Sequence, residues 1–255
     1  MTPTDDYVFI GEPPLIRPEV DEVHISCSFT WDLVRAHQLV KAWGQYYPIV
    51  KQGGMVCQND SFTPGMYIRH GVIFTSRGCN NQCPWCLVLE REGKLREIEI
   101  KAGNMVQDNN LLQCNHEHIG RVFEMLRSQH SIQFTGGLDS RLLTDDLADQ
   151  IRSLRVKQVF FAADTKHSLK PLEKAIKQLA LPRNKIRCYA LLAFDNESIS
   201  DCLERLETIW KVGAMPFAQL YQPPERYIRY SKEWRDLART WSRPAAMKSL
   251  HRELV

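Results

Sequence analysis

From residue 71 onward the chain alternates β-rich runs with longer amphipathic stretches, and this alternation restricts its fold more than any other feature. Gly71–Thr75, Ser131–Thr135, Gln158–Ala162, Lys185–Ala193 and Met215–Tyr221 read as strands. Helical spacing fills 116–129, where Ile119, Val122, Phe123 and Leu126 form a stripe, and then 142–154, 169–179, 199–212 and 230–241. Arg96–Lys101 reads as a short extension strand. Strand-then-helix repetition builds βαβ units around a parallel sheet, so the expected class is α/β. Upstream, Val23–Phe29 and Tyr47–Lys51 read as strands flanking a helix over 31–43, with Thr30 or Asp32 near its start. This divides the chain into a small α/β N-terminal region (1–66), a core (67–225) and a basic helical tail (226–255).

The first core strand runs into Arg77-Gly78-Cys79-Asn80-Asn81-Gln82-Cys83-Pro84-Trp85-Cys86, three cysteines at C-x3-C-x2-C spacing. Three thiolates on one short loop suit three irons of a four-iron four-sulfur cluster, leaving the fourth iron open to a ligand. Zinc favours four ligands in paired C-x2-C spacing, and here only Cys83 and Cys86 form such a pair. The other cysteines, Cys27, Cys57, Cys114, Cys188 and Cys202, are scattered. They read as reduced thiols rather than a disulfide framework, and Cys57 and Cys114 as free thiols rather than part of a second cluster.

Four strand ends hold further candidates. Thr135-Gly136-Gly137-Leu138-Asp139 ends the second predicted core strand, where two glycines allow a ligand close to the backbone. Asp164 follows the third; it reads equally as an acceptor for a ribose hydroxyl or substrate amine and as a helix N-cap. Arg187 and Tyr189 share one face of the fourth, and Gln219 and Tyr221 one face of the fifth. If they face inward, Arg187 and Tyr189 are placed to hold a carboxylate. His24, His70, His116 and His118 carry no pattern of their own, and Asn115 before His116 reads as a cap. No P-loop, dinucleotide-binding glycine fingerprint or hydrolase nucleophile elbow is present.

The cysteine loop, with Trp85 just before its third cysteine, resembles that of the radical S-adenosylmethionine (radical SAM) superfamily. The resemblance spans roughly residues 70 to 225. It implies a partial (β/α)6 barrel, whose sixth strand is not visible in this sequence. It implies an enzyme with a 4Fe-4S cluster on Cys79, Cys83 and Cys86, and SAM held by Trp85, Gly136, Gly137 and Asp164. SAM would be cleaved reductively to a 5'-deoxyadenosyl radical that takes hydrogen from a substrate. Gly136-Gly137 resembles the family's Gly-Gly-Glu motif, with Leu138 where the acid often stands. Residues 189–195 and 216–221 resemble the fourth and fifth strands of cobalamin-linked members. The N-terminal region resembles a shortened cobalamin-binding domain, but its Asp-x-His-x-x-Gly signature is absent, so no cobalamin is expected. The implied partners are an electron donor such as flavodoxin or ferredoxin and a small metabolite or nucleoside.

Two alternatives stand beside this reading: radical SAM modification of a nucleic-acid base, and a non-catalytic iron-sulfur or zinc nucleic-acid-binding protein. A relative that binds SAM without a working substrate site is a further possibility. The net charge of +3 is unevenly spread. Residues 225–255 hold eight Lys or Arg and four Asp or Glu, a net +4 that leaves −1 for the remainder. In that tail Arg229, Lys232, Arg235, Arg239, Arg243, Lys248 and Arg252 are interleaved with Trp234 and Trp241, a composition able to approach phosphate and stack on bases. Seven residues separate the two tryptophans, one helical face, which equally makes them core of a solvated capping helix. The chain has 44% hydrophobic and 25% charged residues, no apolar run of membrane-spanning length, and no signal-like start. A cytoplasmic protein is expected.

Overall fold

The computed structural model describes residues 2–54 and 67–251. The chain divides into two compact units, Met1–His70 with Gln222–Ile228, and Gly71–Tyr221 with Arg229–Val255. The C-terminal helices thus group with the core rather than standing apart.

The first unit is one βαβ turn. Strand β1 (Val23–Ser26) leads through helix α1 (Leu33–Trp43) to β2 (Val50–Gly53), which pairs with β1 in parallel from Val23↔Val50 to Ser26↔Gly53. Helix α1 turns Ala36 and Trp43 onto Ile25, Cys27 and Tyr47. The Trp43 indole donates to Gly11 O (3.1 Å) and the Tyr47 hydroxyl to Pro18 O (2.7 Å), fastening the N-terminal segment to this core. These two strands form a sheet of their own and do not extend the larger one.

The second unit runs β3 (Val72–Ile73), β4 (Ser76–Arg77), α2 (Val88–Glu92), β5 (Arg96–Glu97), β6 (Met105–Val106), α3 (His116–Arg127), β7 (Ile132–Leu138), α4 (Asp145–Ser153), β8 (Val156–Ala162), α5 (Leu169–Leu179), β9 (Ile186–Leu192), α6 (Ile199–Lys211), β10 (Met215–Leu220), α7 (Lys232–Thr240) and α8 (Pro244–Leu250). Strands β3, β6, β7, β8, β9 and β10 form a six-stranded sheet in that spatial order, every neighbouring pair parallel. Strands β4 and β5 form a separate antiparallel arm. An order that never reverses, built with right-handed crossovers, puts all the helices on one face.

Period-two alternation divides the two faces. Ile132, Phe134, Val159, Phe161, Ile186, Cys188, Ala190 and Leu192 are almost wholly buried on the helix side. They meet helical stripes such as Val122–Leu126 of α3, Ala148–Ile151 of α4 and Leu172–Leu179 of α5. The opposite face carries Gln133, Thr135, Tyr189 and Phe217, which are only partly buried. Side chains of Asn115, Thr144 and Ser198 cap α3, α4 and α6 by accepting from the backbone amides of His118, Leu147 and Asp201.

Three expectations need correction. The sixth strand is β6, whose two residues are too few for the pattern to show. Gly136 and Gly137 therefore lie at the end of the third strand of the sheet, not the second. The extension strand expected over Arg96–Lys101 shrinks to Arg96–Glu97 and pairs with β4 outside the main sheet. The tail folds as two helices, α7 and α8, rather than one. No helix among the described residues is long and apolar enough to cross a membrane.

Candidate functional site

The cysteine loop lies across the carboxyl edge of the six-stranded sheet, tied to the ends of successive strands. Beyond β6, Asn110 donates to the Asp139 carboxylate (3.4 Å), and Gln113 accepts from the amide of Asn80 (2.9 Å) and the thiol of Cys79 (3.6 Å). The Gln113 amide donates in turn to Asn81 (3.0 Å). Just past β7, Asp139 accepts from Asn81 Nδ2 at 3.1 Å. Past β8, the Asp164 carboxylate accepts from Leu191 N (2.8 Å) and from the Trp85 side chain. Past β9, Phe194 meets the Trp85 indole edge-on at 5.3 Å, and past β10 Tyr221 meets Phe194 at 4.9 Å. Glu92 closes the other side of the loop, accepting from Arg77 Nη2, Gly78 N and Asn109 Nδ2.

Asp108, which follows β6, anchors the entry to this loop. Its buried carboxylate accepts from Thr75 N (2.6 Å), Thr75 Oγ1 (2.5 Å) and Ser76 Oγ (2.8 Å), fixing the turn from β3 into β4.

Cys79 is buried, Cys83 half-buried and Cys86 exposed. Asn81 N donates to Cys79 Sγ at 3.4 Å. Burial pushes the Cys83 thiol up, and the adjacent Cys86 and Cys79 sulfurs push it further. Although Cys86 is exposed as a residue, crowding of its sulfur by the loop also raises it, with Cys79 and Asp164 adding to this against a backbone hydrogen bond at Val88. Cys83 and Cys86 thus feel the neighbouring sulfurs, and their raised pKa values keep both as neutral thiols until a cationic centre draws off the protons. Among the described residues no three His, Cys, Asp or Glu side chains close to the distances of a single bound ion. A four-iron cluster would take each thiolate at a separate iron.

The remaining candidates divide into two groups. Trp85 and Asp164 are brought together, and Asp164 is neither an N-cap nor a free acceptor: it braces the Trp85 indole and the backbone of β9. Burial raises its pKa against the pull of the Leu191 amide, Arg205 and Trp85. The two glycines differ. A Cβ on Gly136 would lie 1.8 Å from Asp108 O, so this residue is small because the neighbouring chain is pressed against it. Gly137, at φ +96°, has only the Tyr189 ring at 4.0 Å near its missing Cβ, so the space where a side chain would stand is open. Leu138 is buried, and Asp139 turns to the loop and to Arg141 instead. Burial works against the Asp139 charge, but hydrogen bonds from Arg141 and Asn81 hold its pKa below the usual value.

Arg187 and Tyr189 face away from the helices. The Tyr189 hydroxyl donates to Thr135 O at 2.9 Å and its ring stacks on Phe160. In the tail Trp241 is buried and Trp234 packs against the same core, so neither indole is free to stack on a base. Arg229, Lys232, Arg235, Arg239, Arg243 and Lys248 are exposed. Cys57 and Arg252 lie outside the described residues. Reasoning from sequence missed Asn81, Asp108, Asn110, Gln113 and Phe194. The polar run Gln107-Asp108-Asn109-Asn110 after the apolar pair Met105-Val106 was the available signal for a strand end facing a site.

No protein-family model matches the chain, and no curated protein matches it significantly.

Proposed function

We propose that the chain is a radical SAM enzyme acting on a small metabolite or nucleoside, with an electron supplied by a donor such as flavodoxin or ferredoxin. One observation carries this reading. The C-x3-C-x2-C loop is mounted across the carboxyl edge of a parallel sheet whose strands never reverse order, and that edge is where parallel α/β folds hold their ligands. The unreversed order supports the partial (β/α)6 barrel that the motif resemblance implies.

Cys79, Cys83 and Cys86 would hold a 4Fe-4S cluster with one iron open to the amino and carboxylate groups of SAM. When bound, this pair would supply a 5'-deoxyadenosyl radical able to take a hydrogen atom from substrate. The protein's own part is orientation and exclusion of water. Asn81 and Gln113 restrain the loop from the β6 and β7 side, and Asp164 restrains it from the β8 side through Trp85. Trp85, Phe194 and Tyr221 stand as an aromatic wall over the ends of β9 and β10. The open space beside the Cα of Gly137 would let SAM approach the backbone there. No residue is assigned to hold cobalamin.

The test is anaerobic reconstitution with iron and sulfide, metal counts, and incubation with SAM and dithionite or reduced flavodoxin. Slow release of 5'-deoxyadenosine is expected. A full cluster with no SAM binding would reduce the protein to an iron-sulfur module. A nucleic-acid substrate draws support from the exposed basic side chains of the tail. It predicts DNA or RNA binding that falls steeply with salt; no binding at low salt removes it.

A further inference from the structure

Among the described residues of the second unit two arginines are buried, and they are satisfied very differently. Arg205 on α6 donates through Nε and Nη2 to the Glu197 carboxylate, through Nη1 to Ala163 O and through Nη2 to Leu191 O. Its charge is matched and its donors are used. Arg187 on β9 is 6% exposed, and its one hydrogen bond among the described residues runs from Nη2 to Ser242 O at 3.1 Å. Its Nε is buried with no partner. Its guanidinium lies 5.1 Å from the Phe217 ring, and no described carboxylate pairs with it.

A guanidinium does not shed its proton in a protein, so the charge persists. Burying an unpaired charge costs more than a single aromatic contact returns. The sheet offers no relief, because none of its six strands contains an Asp or Glu. On the Arg187 face the strand neighbours are neutral: Gln133, Gln158, Thr135, Phe160 and Tyr189. The Tyr189 hydroxyl proton is already given to Thr135 O.

We propose that Arg187 is an anion-recognition residue on the face of the sheet opposite the helices, and that the substrate carries a carboxylate or phosphate group that pairs with it. This rests on reading the carboxyl edge as the reaction site. A planar guanidinium with an unused Nε–H suits a two-oxygen anion. Arg187 lies five residues before the end of β9, roughly 16 Å of strand. The ligand is therefore elongated, with its anion deep on the sheet and its reacting end at the cysteine loop. The residues in register with Arg187 on either side, Phe160 and Met215, are apolar and leave that anion to the guanidinium.

The experiment uses the full chain without cluster and without SAM. The Arg187 Nε–H resonance, assigned by its loss in Arg187→Met, is followed during separate titrations with succinate and inorganic phosphate, and thermal shifts are recorded in parallel. A saturable shift of that resonance with one probe is expected, and the responding probe tells carboxylate from phosphate. Arg187→Met, which removes a buried unpaired charge, should fold as well as the parent and bind the probe roughly tenfold or more weakly. Arg187→Lys, which keeps a point charge, should respond partly. No saturable shift with either probe in the parent protein overturns the proposal, whatever the variants do, as does equal stabilisation of parent and Arg187→Met. Because neither cluster nor SAM is present, this outcome stands apart from 5'-deoxyadenosine release: a responding Arg187 in a protein that never cleaves SAM would sink the enzymatic reading alone.

Discussion

Gly136 and Gly137 are adjacent, yet the structure asks different things of them. A methyl group on Gly136 would meet the Asp108 carbonyl at 1.8 Å, and backbone cannot swing aside as a side chain can. Gly136→Ala should therefore destabilise by on the order of 4 kcal/mol or more, in the range reserved for disrupted packing. Gly137→Ala meets open space and suffers only from its positive φ, a penalty of roughly 1–2 kcal/mol. Urea denaturation of both variants checks the pair, and equal losses would refute the distinction. If Gly137 approaches SAM, its Ala variant should also slow 5'-deoxyadenosine release beyond what its stability explains. The thiols divide in a similar way. Burial pushes Cys114 up to about 11 and, with the Glu197 carboxylate close by, Cys202 up to about 12. Cys188 lies wholly within the core, where burial raises it well above its ordinary value. Nucleophilicity resides in the thiolate, so iodoacetamide at mildly alkaline pH should label Cys86 first and Cys83 next, leaving Cys114, Cys188 and Cys202 unmodified until unfolding. Mass spectrometry of timed samples reads this order, and early labelling of Cys202 would contradict it.

At the level of whole elements, Arg205 joins three pieces. From α6 it reaches Ala163 at the end of β8, Leu191 near the end of β9, and Glu197 in the turn between β9 and α6. Asp164 follows Ala163 directly and accepts from Leu191 N, so the same tie sets the carboxylate that braces Trp85. Arg205→Ala leaves Glu197 and two carbonyls without their donor and should destabilise by about 3–5 kcal/mol. Replacing Arg205 by Met and Glu197 by Leu together should recover much of that loss, because the burial of both charges is then avoided. A double-mutant cycle by chemical denaturation measures the coupling, and additive single losses would show that the pair is not a unit. Elements of this length were readable in advance: β7, β8, β9 and β10 and their helices fall within a few residues of the periodicity that announced them. The two-residue strands β3 and β6 were harder, since alternation needs more residues than either has. The short strand β6 sets the strand count, and missing it moved the two glycines one strand along. The cysteines were readable because their spacing is contiguous. Their supports were not, because Asn81 meets Asp139, and Trp85 meets Asp164 and Phe194, only through the order of the strands.

For the whole molecule, the question is whether a cluster would be a structural staple or a mounted cofactor. Small metal-nucleated domains lack a core large enough to fold alone, and chelators unfold them. The second unit here has a continuous core from Ile73 to Met247, packed between the sheet and its helices, and none of the three loop cysteines belongs to it. The loop is held by hydrogen bonds of its own: the Asn80 backbone amide and the Asn81 side chain to Gln113, Asn81 to Asp139, Trp85 to Asp164. With their pKa values raised, Cys83 and Cys86 are neutral thiols near pH 7 and place no charge on the loop. Replacing Cys79, Cys83 and Cys86 together by Ala removes three sulfur donors and no residue of the continuous core. The triple variant should retain its circular dichroism spectrum and unfold cooperatively within about 1 kcal/mol of the metal-free parent, the usual range for changes outside the core. It should bind no iron after anaerobic reconstitution and release no 5'-deoxyadenosine. Unfolding of the parent on chelation, or of the triple variant on expression, would make the loop a staple and move the protein towards the non-catalytic reading. Full iron retention in the triple variant would remove these cysteines from the site altogether.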